Sequence, residues 1–160
     1  MYIVLVLLLI SQSALQQTLE DIGPQLRHLT IRYPMSQLPW AALDSTLIWC
    51  PNLLALRVSA DYISDMFFDP QYVPHGHPLR ILDLECSEST GPEVGINPDS
   101  IWVAIDNGCL PHLRCVRVSA RLAWQATNSL RASVSDLVEL LEDQEKKEPL
   151  GIEPGVWSII

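Results

Sequence analysis

The sequence predicts an α/β solenoid, with a parallel sheet on its concave side, helices on its convex side and a C-terminal capping helix. Three observations predict it. A six-residue pattern, apolar at its first, fourth and sixth positions, occurs as Leu26-Arg-His-Leu-Thr-Ile31, Leu53-Leu-Ala-Leu-Arg-Val58, Leu79-Arg-Ile-Leu-Asp-Leu84 and Leu113-Arg-Cys-Val-Arg-Val118. These copies start 27, 26 and 34 residues apart, as their first leucines at 26, 53, 79 and 113 show. Between them lie helical stretches bounded by capping residues and by Gly or Pro, so every copy reads as a strand followed by a returning helix.

Repeats of about 20–29 residues with a leucine-spaced strand are of the leucine-rich-repeat kind. Val4, Leu7 and Leu9 carry the same spacing, 22 residues before Leu26, and are expected to form the first strand. Ser13-Ala-Leu-Gln16 has the form of a capping box, predicting a helix with Leu15, Leu19 and Ile22 on one face. Gly23-Pro24 should stop it, with the glycine in a left-handed conformation. Leu38-Pro39 opens a second helix whose apolar face is Trp40, Leu43, Leu47 and Ile48, ended by Pro51. Ser59 or Asp61 caps a short helix carrying Ile63, Met66 and Phe67, and Asp69-Pro70 terminates it. The long interval after Leu84 contains a turn-rich insertion, Ser87 to Gly95, then Asn97-Pro-Asp-Ser100, a cap with proline and an acid in the first turn. Ile101, Ala104 and Ile105 should face inward, with Asn107-Gly108 as the stop. Beyond Val118 the hexad is not repeated. Leu130, Val134, Leu137 and Leu141 form one stripe on a longer helix, the expected cap, against which the apolar tail around Trp157 folds. The whole is read as a single domain over 1–160, with irregular repeats over about 4–120 and the cap over about 121–160.

Composition restricts the partners. Ten Lys and Arg stand against nineteen Asp and Glu, a net charge of −9, which is unsuited to a phosphate backbone, so no nucleic-acid partner is expected. The apolar run at residues 2–10 is too short to span a bilayer and lacks a basic flank, so a membrane partner is not expected either. Ser11-Gln-Ser-Ala14 keeps a second reading of residues 1–14 open, that of a secretion signal. As a strand, this segment would be apolar on both faces, so a missing N-terminal segment or an oligomer contact would cover it. Cys50, Cys86, Cys109 and Cys115 show no zinc-ligand spacing and are read as buried thiols; a Cys109–Cys115 disulfide would require an oxidising compartment.

Strand alternation turns positions three, five and seven of each unit toward the concave face. The central column is Leu8, Thr30, Arg57, Asp83 and Arg117; the flanking columns are Val6, His28, Ala55, Ile81, Cys115 and Ile10, Arg32, Ser59, Glu85, Ser119. An Arg57–Asp83–Arg117 ladder is expected. The candidate partner-binding residues are therefore His28, Arg32, Arg57, Asp83, Glu85 and Arg117, a face carrying arginines on an acidic chain and suited to a protein segment of acidic or mixed character.

The hexads, with lead-ins such as Trp49-Cys-Pro-Asn-Leu53 and Cys109-Leu-Pro-His-Leu113, resemble the irregular leucine-rich-repeat regions of fungal F-box-like proteins over residues 4–120. The tail from Ser119-Ala-Arg-Leu-Ala-Trp124 to Pro154-Gly-Val-Trp157 is similar to the cap of such proteins. The resemblance implies that the repeats recruit a target to a ubiquitin ligase, inside the cell in cytoplasm or nucleus, while an upstream F-box binds the adaptor. Leu38-Pro39-Trp40 lies inside a repeat helix, so adaptor binding is not carried over. The ninth position, Asn or Cys in regular repeats, holds Gln12, Pro34, Asp61, Ser87 and Arg121, which predicts irregular curvature.

Chemical readings are weaker. His75-Gly-His77 lacks further metal ligands in sequence. Asp83 with Glu85 has the carboxylate pair of acid–base chemistry but no third group, so pairing with Arg is expected. Cys109 with His112 sits at a helix C-terminus, where a thiolate is disfavoured. The expectation is a non-catalytic protein-interaction module with no cofactor or metal; the alternative is a secreted leucine-rich-repeat recognition protein.

Overall fold

A computed structural model describes residues 2–5, 11–31, 39, 41–85, 96–119, 128–147 and 155–159. Six strands, β1 (Tyr2–Leu5), β2 (His28–Ile31), β3 (Ala55–Ser59), β4 (Ile81–Glu85), β5 (Cys115–Ser119) and β6 (Gly155–Ile159), form one sheet in chain order. Every neighbouring pair is parallel. Parallel neighbours require a crossover. The crossovers contain α1 (Gln12–Ile22), α2 (Thr46–Trp49), α3 (Pro98–Asp106) and α4 (Asn128–Lys147), with two 3-10 turns, Ala60–Tyr62 and Asp65–Phe68, between β3 and β4.

The one-four-six spacing places its residues as expected. Leu26, Leu29, Ile31, Leu53, Leu56, Val58, Leu79, Leu82, Leu84, Leu113 and Val116 are all within 1% of full burial. They share one core cluster with Leu15, Leu47, Phe67, Ile101 and Leu141 from the crossovers. The crossovers therefore return over one face of the sheet, and removal of that apolar surface from water is the main stabilising term.

A backbone motif repeats at each step. The carbonyl of Arg27 accepts from Leu54 and Ala55, that of Leu54 from Arg80 and Ile81, and that of Arg80 from Arg114 and Cys115. The second hexad position thus hands two bonds to the next unit each time, at whatever chain interval separates them.

The structure departs from expectation where side-chain pattern underdetermines the backbone. Ser11, not Ser13, caps α1, accepting from the Ala14 amide at 3.3 Å. Gly23 is right-handed, with φ −53°. Its glycine is required by space, because a Cβ there would lie 2.1 Å from the Trp49 carbonyl oxygen of the next unit. The second helix shrinks to α2, since Ala41 at φ 65° interrupts the ladder, and Ile48 is exposed rather than inward. The third crossover carries consecutive 3-10 turns capped by Ser59 and Ser64; Ile63 and Phe67 are buried, but Met66 faces solvent. In β1, Tyr2 rather than Val6 is opposite His28, a slip of four residues. The tail does more than fold against α4: it supplies β6, parallel to β5. Asn97, Pro98 and Gly108 act as predicted, Asn97 Oδ1 accepting from the Asp99 amide and Gly108 taking φ 72°. Val6 to Ile10, Arg32, Trp40, Cys86 and the insertion 87–95 lie outside the described residues.

Candidate site on the outer face of the sheet

The register reproduces the predicted columns from β2 to β5. Thr30, Arg57, Asp83 and Arg117 stand side by side, as do His28, Ala55, Ile81 and Cys115; Ser59 lies beside Glu85. Strand alternation keeps this row on the face away from the leucine core, with Thr30, Arg57 and Arg117 half-buried and Asp83 buried. Trp157 of β6 extends the central column past Arg117.

Arg57 is the hub of this face. Its Nη2 donates to Glu85 Oε1, diagonally across the strands, and its Nε lies 3.7 Å from Asp83 Oδ2, beyond hydrogen-bond range. The Arg57 side chain is 39% exposed while that of Asp83 is 11% exposed, so the pair is partly screened and of small stabilising value. Asp83 Oδ1 and Arg57 Nε, both buried, have no hydrogen-bond partner among the described residues. Half-buried Arg117 stands beside Asp83 in register, yet the ion pairs of this row, among the described residues, are both made by Arg57. The expected three-member ladder is thus an Arg57–Asp83–Glu85 cluster with Arg117 beside it. His28 is half-buried at the β1 side, and burial lowers its pKa. Arg32 lies outside the described residues.

The other chemical candidates are drawn into the fold. Buried His77 accepts the Leu79 amide at Nδ1, which leaves Nε2 to donate to the Cys50 carbonyl at 3.1 Å. Burial pushes its pKa down, against the raising effect of its backbone bonds. It replaces a turn bond: Leu26, Leu53 and Leu113 each donate to the carbonyl three residues earlier, whereas Leu79 donates to the ring. His75 is exposed, beside Gly108, so the two histidines part company. No group of three or more metal-ligating side chains occurs among the described residues. Cys50, Cys109 and Cys115 are buried. Burial pushes the Cys50 thiol up to about 12; burial and then Asp69 raise that of Cys109. Asp83 and Glu85 both face Arg57, as the pairing reading expected.

Two polar joints carried no sequence signal. Buried Asp44 accepts from the Ser64 amide at 2.7 Å and hydroxyl at 2.6 Å, tying the second crossover to the third. Asp65 Oδ1 accepts from the Asn97 amide and the Ser100 hydroxyl, tying the third to α3. Both bonds span more than 19 residues of chain, where no local rule applies.

The fold and this face define a parallel α/β domain of stacked strand-and-crossover units with a charged sheet surface. The chain is similar to two fungal proteins. It is 37% identical over 140 residues to F-box protein YDR306C of Saccharomyces cerevisiae, an alignment covering 85% of this chain and 29% of that protein. It is 32% identical over 139 residues to protein pof5 of Schizosaccharomyces pombe, covering 86% of this chain and 38% of the relative. The chain spans about a third of the length of these curated relatives. No family model matches, and no solved structure matches. No helix among the described residues is long and apolar enough to cross a membrane.

Proposed function

We propose that residues 1–160 form one leucine-rich-repeat solenoid domain that recognises a protein through the outer sheet face. It acts as the non-catalytic substrate-recognition part of an F-box-type ubiquitin ligase component, inside the cell. Three things support the reading: sequential parallel strands joined by a repeating backbone bond, the named F-box relative, and the charged row itself. The row carries most weight. Asp83 Oδ1 lacks a donor and Arg117 takes no ion pair among the described residues, so a segment supplying a carboxylate to Arg117 and a donor to Asp83 fits it. The pairing of Tyr2–Leu5 with His28–Ile31 favours the strand reading of that segment over the secreted alternative.

The test is quantitative affinity purification with Arg57→Glu and Arg117→Glu. Arg117→Glu is the cleaner change, because Arg57→Glu also places a third carboxylate beside Asp83 and Glu85. Loss of the same proteins with both variants, at unchanged thermal stability, supports the reading. Partners retained by both remove the sheet face from recognition.

A further inference from the structure

On the opposite side of the sheet, where the crossovers lie, a groove of about 320 Å³ runs between the Asp65–Phe68 turn and α3. Its character differs from that of the arginine-bearing face. Met66 and Val103, 44% and 42% exposed, line it together with Phe68, and Asp65, Asp69 and Asp99 line it too. Among the described residues, the large apolar side chains this exposed are Ile48, Met66 and Val103, and the last two share this groove.

The carboxylates are only partly used by the fold. Asp65 Oδ1 accepts from Asn97 and Ser100, and Asp69 Oδ1 accepts from the Gln71 amide. Among the described residues, their second oxygens and both oxygens of Asp99 accept no hydrogen bond, and no Lys or Arg lines the groove. A neighbouring groove, between α3 and α4, repeats the design with Trp102 and Leu140 beside Asp136, Glu139 and Asp143. There the chain's own Lys146, one turn along α4, lies 2.9 Å from Asp143.

We propose that the groove between the Asp65–Phe68 turn and α3 is a second docking site, whose occupant is a basic protein segment that inserts an apolar side chain between flanking arginines or lysines. Charge complementarity selects the occupant: three carboxylates around an apolar floor attract cations and repel the acidic segments suited to the opposite face. Desolvation of Met66 and Val103 supplies the affinity, and the aspartates set sign and register. This site lies beyond the sheet-face reading and does not depend on it.

The test uses the 160-residue chain and a fluorescein-labelled hexapeptide of alternating leucine and arginine, followed by anisotropy. Saturable binding is expected, weakened about fivefold or more by Met66→Ser or Val103→Ser and by the Asp69→Asn, Asp99→Asn pair, but unchanged by Arg117→Glu. Both side chains are already about two-fifths exposed, so the variants should keep a melting curve close to the parent's. Peptides with glutamate for arginine, or glycine for leucine, are expected not to bind. Equal binding by the glycine peptide would reduce the effect to unspecific charge attraction and overturn the proposal. Insensitivity to Met66→Ser and Val103→Ser would place the peptide elsewhere and overturn it, and self-association of the chain through this groove would give it a different occupant.

Discussion

Gly23→Ala separates two physical accounts of one residue. Gly23 has φ −53°, a conformation alanine adopts freely, and alanine is favoured over glycine in helical backbone by about 1 kcal/mol. Local propensity alone therefore predicts stabilisation. The structure predicts the reverse, because the added Cβ would lie 2.1 Å from the Trp49 carbonyl oxygen and 2.8 Å from its carbon. Both are backbone atoms, so no rotamer change relieves the overlap, and the first and second units must separate by more than 1 Å to reach ordinary contact. That separation strains the Asn52 Nδ2 bond to the Pro24 carbonyl, now 2.8 Å, and loosens the packing around Leu19, Leu26 and Cys50. Overpacking costs about 1–3 kcal/mol, and a lost hydrogen bond adds about 1 kcal/mol. The net expectation is destabilisation of roughly 1–3 kcal/mol after the propensity gain. Urea unfolding should show a lower midpoint at unchanged m value. An alanine variant as stable as the parent, or more so, would refute the close stacking of these units at Gly23.

Other perturbations follow from the same contacts. Because burial holds the His77 pKa below its ordinary 6.5, the unfolded chain binds more protons in that range; the His77 contribution is complete above about pH 6.5 and is lost as pH falls below it, by up to about 1.4 kcal/mol per pH unit. Urea midpoints of the parent and His77→Gln between pH 7.5 and 5.5 should show the steeper decline in the parent. Asp44→Ala strands two Ser64 donors and should cost about 2–4 kcal/mol by thermal or urea unfolding, whereas Arg57→Ala, removing a half-exposed pair, should cost no more than about 1 kcal/mol. Cys50 and Cys109, buried with raised pKa values, should react with a thiol reagent at pH 8 only after denaturant is added; rapid native labelling would contradict their burial.

The parallel sheet was legible because its signal is doubly constrained: leucines at spacing two and three must share one face, and the turn residues before them leave no room for a helix. The columns Thr30–Arg57–Asp83–Arg117 followed from that alone. Register failed where composition is uniform. In residues 2–10 nearly every residue is apolar, so a four-residue slip costs no pattern, and Tyr2 replaced Val6 opposite His28. The sixth strand was hidden because Gly155-Val-Trp-Ser-Ile159 lacks the leucine-spaced hexad, and its pairing with β5 is a long-range event. The charged row was readable as a row, but not the preference of Asp83 and Glu85 for Arg57 over Arg117, which depends on rotamers. His77 was unreadable for another reason: its ring replaces a backbone carbonyl that Leu26, Leu53 and Leu113 obtain from a turn.

The most direct test of the account is the spacing of its strands. Spin labels placed in pairs at His28, Ala55 and Ile81, register partners on the outer face, should give strong dipolar broadening for 28 with 55 and for 55 with 81. Their backbones should be separated by about 4.8 Å, and 28 with 81 by about twice that. Absence of broadening in either neighbouring pair would mean that these hexads do not lie side by side, and both the charged row and the recognition role built on it would be contradicted.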